Sequence, residues 1–196
     1  EVLEADLSFV PSSTSKKEVA DISLYDHLKM TAAIGGCILE YLEENHITDW
    51  KEELFHKSQI FYEKEVFLMY SMDISGIQDF IYTITSERAL KSLRSRSFYL
   101  EILMEHLVDE ILEDIGLSRA NLLYTGGHAY MLLPNTKRVK EKIEAKEKAI
   151  NLAWIKKYQN ALFLASGYKE CSANALKNEP KGSYREIFRE VSNRIS

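Results

Sequence analysis

The sequence predicts an α+β fold in which a four-stranded antiparallel sheet, with helices on one face, follows a helical segment. Three observations carry the prediction. From Val66 a continuous apolar run, VFLMYSM, ends at Asp73, the pattern of a strand buried on both faces. Two further apolar runs, NLLYT (121–125) and HAYMLLP (128–134), flank Gly126–Gly127, a hairpin signal because both glycines accept positive φ without a Cβ clash. Segments of helical period separate these runs, and ALFLAS (161–166) reads as a last strand.

Taken in order, Pro11 to Lys17 (PSSTSKK) has the composition of a surface linker. Ser23 can cap a helix in which Leu28, Ile34, Ile38 and Leu42 recur, and Asp49 with Glu52 can cap a second one holding Leu54, Phe55, Ile60 and Phe61. After the first strand comes a short turn, Ile74-Ser75-Gly76, and then Ile77, Phe80, Ile81 and Ile84 form one helical face. A longer helix is expected from Ser97 to Ile115, with Gly116 as a left-handed C-cap. Pro134 closes the hairpin, and Thr136 can cap a charged helix reaching Tyr158. The order from Val66 is strand, helix, hairpin, helix, strand, a ferredoxin-like βαββαβ arrangement that hosts many functions and decides none.

Composition narrows the classes. The apolar runs fall far short of the roughly 20 residues of a membrane-spanning helix, and no signal peptide opens the chain. Cys37 and Cys171 are the two cysteines and are too far apart for a CxxC pair, so a reducing cytoplasm is the expected setting. The net charge of −5 hides an asymmetry: residues 1–65 carry 14 acids and 6 bases, and the remainder is net basic. A start at Glu1 and a stop inside a helical-looking stretch read as a piece of a longer protein.

The chemistry must reside in two loops. A palm or cyclase site on this fold holds two metal ions through a carboxylate on the first strand and others on the hairpin turn. Asp73 stands at the first position, but the turn is Gly126-Gly127-His128 and offers no carboxylate. One Asp with a neutral imidazole is a poor Mg2+ site, because this ion prefers several oxygen ligands. Ser75-Gly76-Ile77 lies between strand and helix, where free amides and a glycine can cradle an anion; the alternative is a tight turn with a helix cap. Arg88, Lys91, Arg94 and Arg96 could bind the phosphates of RNA or of a nucleotide, or form a solvated loop paired with the acidic N-terminal segment. Asp26-His27 invites a metal-phosphohydrolase reading but lacks a further His/Asp cluster. Two other readings are an RNA-binding or scaffold module stacking bases on Tyr70 or Tyr130, and a free-standing cyclase, which needs the carboxylates the hairpin lacks.

Four stretches resemble a known family in unbroken order: DISLYDHLKMTAAI (21–34), SMDISGIQDFIYTI (71–84), LKSLRSRSFYLE (90–101) and NLLYTGGHAY (121–130). They are similar to the large subunit of type III-A CRISPR effector complexes, the Csm-type polymerase/cyclase subunit. The resemblance implies a parent with an HD nuclease domain acting on single-stranded DNA, two palms, a zinc-bearing domain and a helical C-terminal domain. Target RNA would activate a Gly-Gly-Asp-Asp turn of the second palm to make cyclic oligoadenylates from ATP. Residues 1–65 would be the end of the HD-side region, 66–176 the first palm, and 177–196 the start of the segment leading to the zinc-bearing domain. This palm would form the non-catalytic half of the ATP pocket. Its implied nucleotide-binding residues are Ser75, Gly76, Ile77, Gly126, Gly127 and His128, and Arg94 and Arg96 are implied as phosphate, RNA or structural contacts. The implied cofactors are ATP as substrate and Mg2+ or Mn2+ in the parent, with no metal on these residues alone. The implied partners are other Csm subunits, CRISPR RNA, target RNA and the second palm, with no membrane.

Overall fold

The computed structural model describes residues 2–195 apart from 16, 18, 20, 83–88 and 160. Ile84 and Arg88, both singled out above, lie outside the described residues. The helical segment consists of α1 (Val2–Leu7), α2 (Leu24–Glu44), a π-helical turn (Glu52–His56) and α3 (Ser58–Glu63). The βαββαβ unit follows: β1 (Phe67–Ser75), α4 (Ile77–Tyr82), α5 (Ala89–Ile115), β2 (Leu122–Tyr124), β3 (His128–Pro134), α6 (Lys137–Tyr158) and β4 (Phe163–Cys171). A short α7 (Ala173–Leu176) and α8 (Ser183–Ile195) complete the chain. No described helix is long and apolar enough to cross a membrane.

The sheet is antiparallel throughout, in the order β2-β3-β1-β4, so the apolar run read as doubly buried is a central strand. Leu68, Tyr70, Met72 and Ile74 of β1 point into a core shared with α5 and α6. Phe67 and Met69 point the other way, into a second core with α2, α3 and α8. The two helices of the unit therefore lie on one face as expected, and the flanking helices cover the opposite face. Residues 183–195, expected to begin a segment leading away, form α8, whose Ile187 and Val191 are buried on the sheet. A Cβ on Gly167 of β4 would lie 2.8 Å from the Arg194 Cβ, so this glycine lets α8 approach closely.

The predicted caps form. The Ser23 hydroxyl accepts from the Asp26 amide at 3.0 Å, the Asp49 carboxylate from the Glu52 amide at 3.0 Å, and the Thr136 hydroxyl from the Val139 amide at 3.2 Å. Gly116 ends α5 with φ +81°. The inward face of α2 differs from expectation. Ala33, Cys37 and Leu42 are buried, whereas Leu28 and Ile34 are exposed. Small residues face inward because α2 runs against β3 and the turn before β2, where Asn121 Nδ2 donates to the Leu132 carbonyl at 2.9 Å and lies 3.4 Å from Cys37 Sγ. In α3 Phe61 is buried and Ile60 exposed, and Phe55 of the preceding π-helical turn is exposed too.

Two boundaries also move. α5 is described from Ala89 rather than from Ser97, so Lys91, Arg94 and Arg96 lie on the helix instead of in a loop. β4 spans Phe163–Cys171 rather than 161–166, because Lys169 pairs with Glu190 of α8 at 2.9 Å and Glu170 pairs with Lys140 of α6.

Candidate functional site

β1 continues through Asp73 to Ser75, so the turn after it is Gly76 alone. Gly76 has φ +87°, and a Cβ there would sit 2.0 Å from the Ala161 carbonyl oxygen. The fold requires this glycine whatever it binds. The hairpin glycines differ: neither has positive φ, which corrects the reason given for the turn, and a Cβ on Gly127 would meet open space. Thr125, Gly126 and Gly127 make a three-residue connection in which the Thr125 hydroxyl is buried without a hydrogen-bond partner among the described residues.

The strand end and the Gly-Gly turn meet at a slot of about 160 Å³. Ile74, Ile77, Ile81, Leu100 and Met104 make its apolar walls, Ser97 and Glu101 supply polar groups, and the Gly126–Gly127 backbone closes one side. Complete small-molecule sites are typically about 300–1,000 Å³. A slot this small holds a fragment of a ligand and leaves the rest to another surface. A larger groove of about 730 Å³ runs between α1, α2 and residues 119–122, and none of the strand-end groups line it.

His128 belongs to the other face of the sheet. It is the cross-strand partner of Asp73, which also pairs with Ala165, so the three form one row over β3, β1 and β4. Burial raises the Asp73 pKa above its ordinary value, and the facing His128 offsets part of that rise. From His128 a file of aromatic rings leads toward α8, with His128–Tyr130 at 5.1 Å, Tyr130–Phe188 at 5.2 Å and Phe188–Tyr184 at 5.1 Å between centroids. On the opposite side His128 meets Tyr124, 53% exposed, at 5.4 Å.

Of the predicted residues, Ile77, Gly126 and Gly127 line the slot, Gly76 lies between its wall residues Ile74 and Ile77, and Ser75, next after Ile74 on the strand, alternates to the reverse face with Asp73 and His128. Arg96 turns inward: its guanidinium donates to the Phe80 carbonyl and lies 5.3 Å from the Phe80 ring centroid. Arg94 is exposed on α5. Ser97, Glu101, Met104 and Tyr124 were not singled out from sequence. The spacing of Ser97 and Glu101, one helical turn apart beside Leu100 and Met104, carries that signal only once α5 is known to lie under the Gly-Gly turn.

Among the described residues no three His, Cys, Asp or Glu side chains are grouped to hold a metal. Asp73 and His128 do not make the oxygen-rich set that Mg2+ or Mn2+ requires. Asp26 accepts from the Ser23 hydroxyl at 2.7 Å within the helix cap. Tyr70 is fully buried under α5 and α6, and Tyr130 packs under Phe188, so neither ring offers an open stacking surface for RNA.

The family model described as Csm1 subunit domain B matches residues 66–196. A Mycobacterium tuberculosis protein named CRISPR system single-strand-specific deoxyribonuclease Cas10/Csm1 (subtype III-A) is 49% identical over 206 residues, covering 100% of this chain and 26% of its own length. A crystal structure of a Csm1–Csm4 cassette in complex with pppApA superposes with a TM-score of 0.81 at 31% identity, covering 99% of this chain and 26% of that one. A cassette in complex with one ATP gives 0.78 at 31% identity, covering 99% and 25%. The chain spans about a quarter of the length of the curated relatives it matches.

Proposed function

The chain belongs to the Csm1 family and spans its domain B, and we propose that it is the non-catalytic palm of an RNA-guided subtype III-A CRISPR effector subunit, forming one side of an ATP pocket. The observation that carries this reading is the partial slot, with Ile74 and Ile77, the residues flanking the Ser75–Gly76 turn, at one border and Gly126–Gly127 at the other. An apolar slot with a serine and a carboxylate beside it suits a nucleobase, whose exocyclic amine can donate to Glu101. The triphosphate would then leave the slot past the strand end at Ser75, since the side of Gly76 where a Cβ would stand is filled by the Ala161 carbonyl. The remaining surface and the metal-binding carboxylates would come from the second palm of the same polypeptide.

On this reading the whole subunit cuts single-stranded DNA and, once target RNA is bound, converts ATP into cyclic oligoadenylates, with both catalytic centres outside residues 1–196. Mg2+ or Mn2+ would act at those centres. Residues 1–65 would close the HD-side region, and 177–196 would lead toward the zinc-bearing domain while docked on the palm. A Csm4-type subunit, other Csm subunits, CRISPR RNA and target RNA are the proposed partners, and the cytoplasm the proposed setting. The nucleotide ligands and the Csm4 chain in the structural relatives support the assignment of ATP and of that partner.

Gly76 is unsuitable as a probe, because any side chain there collides with the Ala161 backbone. Gly127 is suitable, since a Cβ meets nothing within 4 Å. In the full-length subunit assembled with its partners, Gly127→Val and Ser75→Leu are expected to lower oligoadenylate synthesis about tenfold or more. Binding of target RNA should persist, and the melting temperature should stay within about 2 °C. Synthesis at the wild-type rate in both variants would remove these residues from the nucleotide site.

A further inference from the structure

α4 is described over Ile77–Tyr82, starting at the Gly76 turn, and its position against the slot is set by what its side chains and carbonyls meet. Two of its side chains, Ile77 and Ile81, are walls of the slot, and its first residue follows the Gly76 turn. The tethers converge on Phe80. The ring lies 6.3 Å from Tyr99 and 5.9 Å, edge to face, from Tyr158, while the Arg96 guanidinium stands 5.3 Å from its centroid. The same guanidinium donates to the Phe80 carbonyl, so one side chain holds both the ring and the backbone of this residue. The socket is itself braced: the Tyr99 and Tyr158 hydroxyls hydrogen-bond to each other, and Lys157 Nζ donates to the Tyr99 hydroxyl at 3.2 Å.

We propose that Phe80, seated between Arg96, Tyr99 and Tyr158, sets the position of the Ser75-Gly76-Ile77 turn and of the slot wall, so that Arg96 is a positioning residue rather than a phosphate ligand. The inference rests on the nucleotide reading above for its effect on ligand, and on the socket alone for its effect on α4. Arginine suits the role because its planar group stacks on a ring and donates in its own plane at once. Lysine has the charge without the plane.

The test uses the full-length subunit with ATP as the probe, binding measured by calorimetry, and hydrogen exchange of the α4 amides measured without nucleotide. Arg96→Ala, Arg96→Lys and Phe80→Leu are each expected to weaken ATP binding about tenfold and to speed exchange in α4. Phe80→Tyr, which keeps the ring, should bind within about twofold of wild type, and Arg96→Ala combined with Phe80→Leu should be no weaker than the worse single variant. Wild-type affinity in Arg96→Lys together with an unaffected Phe80→Leu would overturn the proposal, because Arg96 would then act through its charge. Loss of binding in Gly127→Val with Phe80→Leu at wild-type affinity would overturn the socket while leaving the nucleotide reading intact. A wild-type subunit that fails to bind ATP, with α4 exchange still accelerated by Phe80→Leu, would sink the nucleotide reading and confine the socket to holding α4.

Discussion

Asp73 shows how position changes what a residue can do. In the sequence it is the carboxylate at a strand end and invites comparison with a metal ligand. In the structure it stands within the strand, half-buried beside His128, with a pKa raised chiefly by desolvation. The raised value means that the folded state holds the proton more tightly than the unfolded one. Its favourable contribution is therefore complete below the unfolded value of about 3.8 and is lost as pH rises through the folded value. Asp73→Asn is expected to melt at or above the wild-type temperature at pH 7, and the difference should shrink as pH falls toward 4. A variant less stable at pH 7, with a gap that closes only in acid, would mean that the ionised form is stabilised in place. The two cysteines are simpler: burial raises both thiols to about 12, so they pack as small apolar groups.

At the scale of elements, α8 is the main addition of the structure to the palm. Its sequence is charged, and only Ile187, Val191 and Phe188 mark an inward face. The seat that receives it is Gly167, which in sequence falls just past the strand read over 161–166. Gly167→Val is expected to push α8 outward, lowering stability by about 1–3 kcal/mol and raising hydrogen exchange across 183–195. Unchanged exchange would show that α8 is held elsewhere. Capped helices and the hairpin were legible because their signals are local: a hydroxyl before an apolar period, or glycines between apolar runs. The start of α5 was not, because lysine and arginines in a first turn oppose the helix dipole and resemble a loop. Arg96, which donates to the Phe80 carbonyl, gives that stretch an inward contact that the sequence does not announce. β4 was cut short for a related reason: Tyr168, Lys169 and Glu170 look like the end of a strand until α6 and α8 provide their partners.

Across the whole molecule the sheet separates two cores, and the N-terminal helical segment belongs to one of them. Glu44 accepts from the Lys137 amide at 2.5 Å at the start of α6, and Arg138 bridges Glu40 of α2 at 2.5 Å to the Ile115 carbonyl at 3.1 Å. Buried Asn121 joins α2 to β3 through Leu132. Asn121→Leu should cost about 1–3 kcal/mol by removing the amide donor to that carbonyl and leaving it the weak Cys37 thiol at 3.5 Å, with the loss read as a lower melting temperature and faster exchange in α2. A neutral result would mean that apolar packing alone holds the segment. The amino-acid sequence determined the order of strands and helices, the caps and the absence of a carboxylate from the hairpin turn, because these depend on side-chain type and short spacing. The tertiary structure decided that Gly76 is packed against Ala161 while Gly127 faces open space, that Arg96 turns inward onto Phe80, and that His128 lies on the reverse face from the slot. Those outcomes depend on which groups meet across the sheet, and residues such as Arg96 and Phe80, sixteen positions apart, acquire their roles only where the chain brings them into contact.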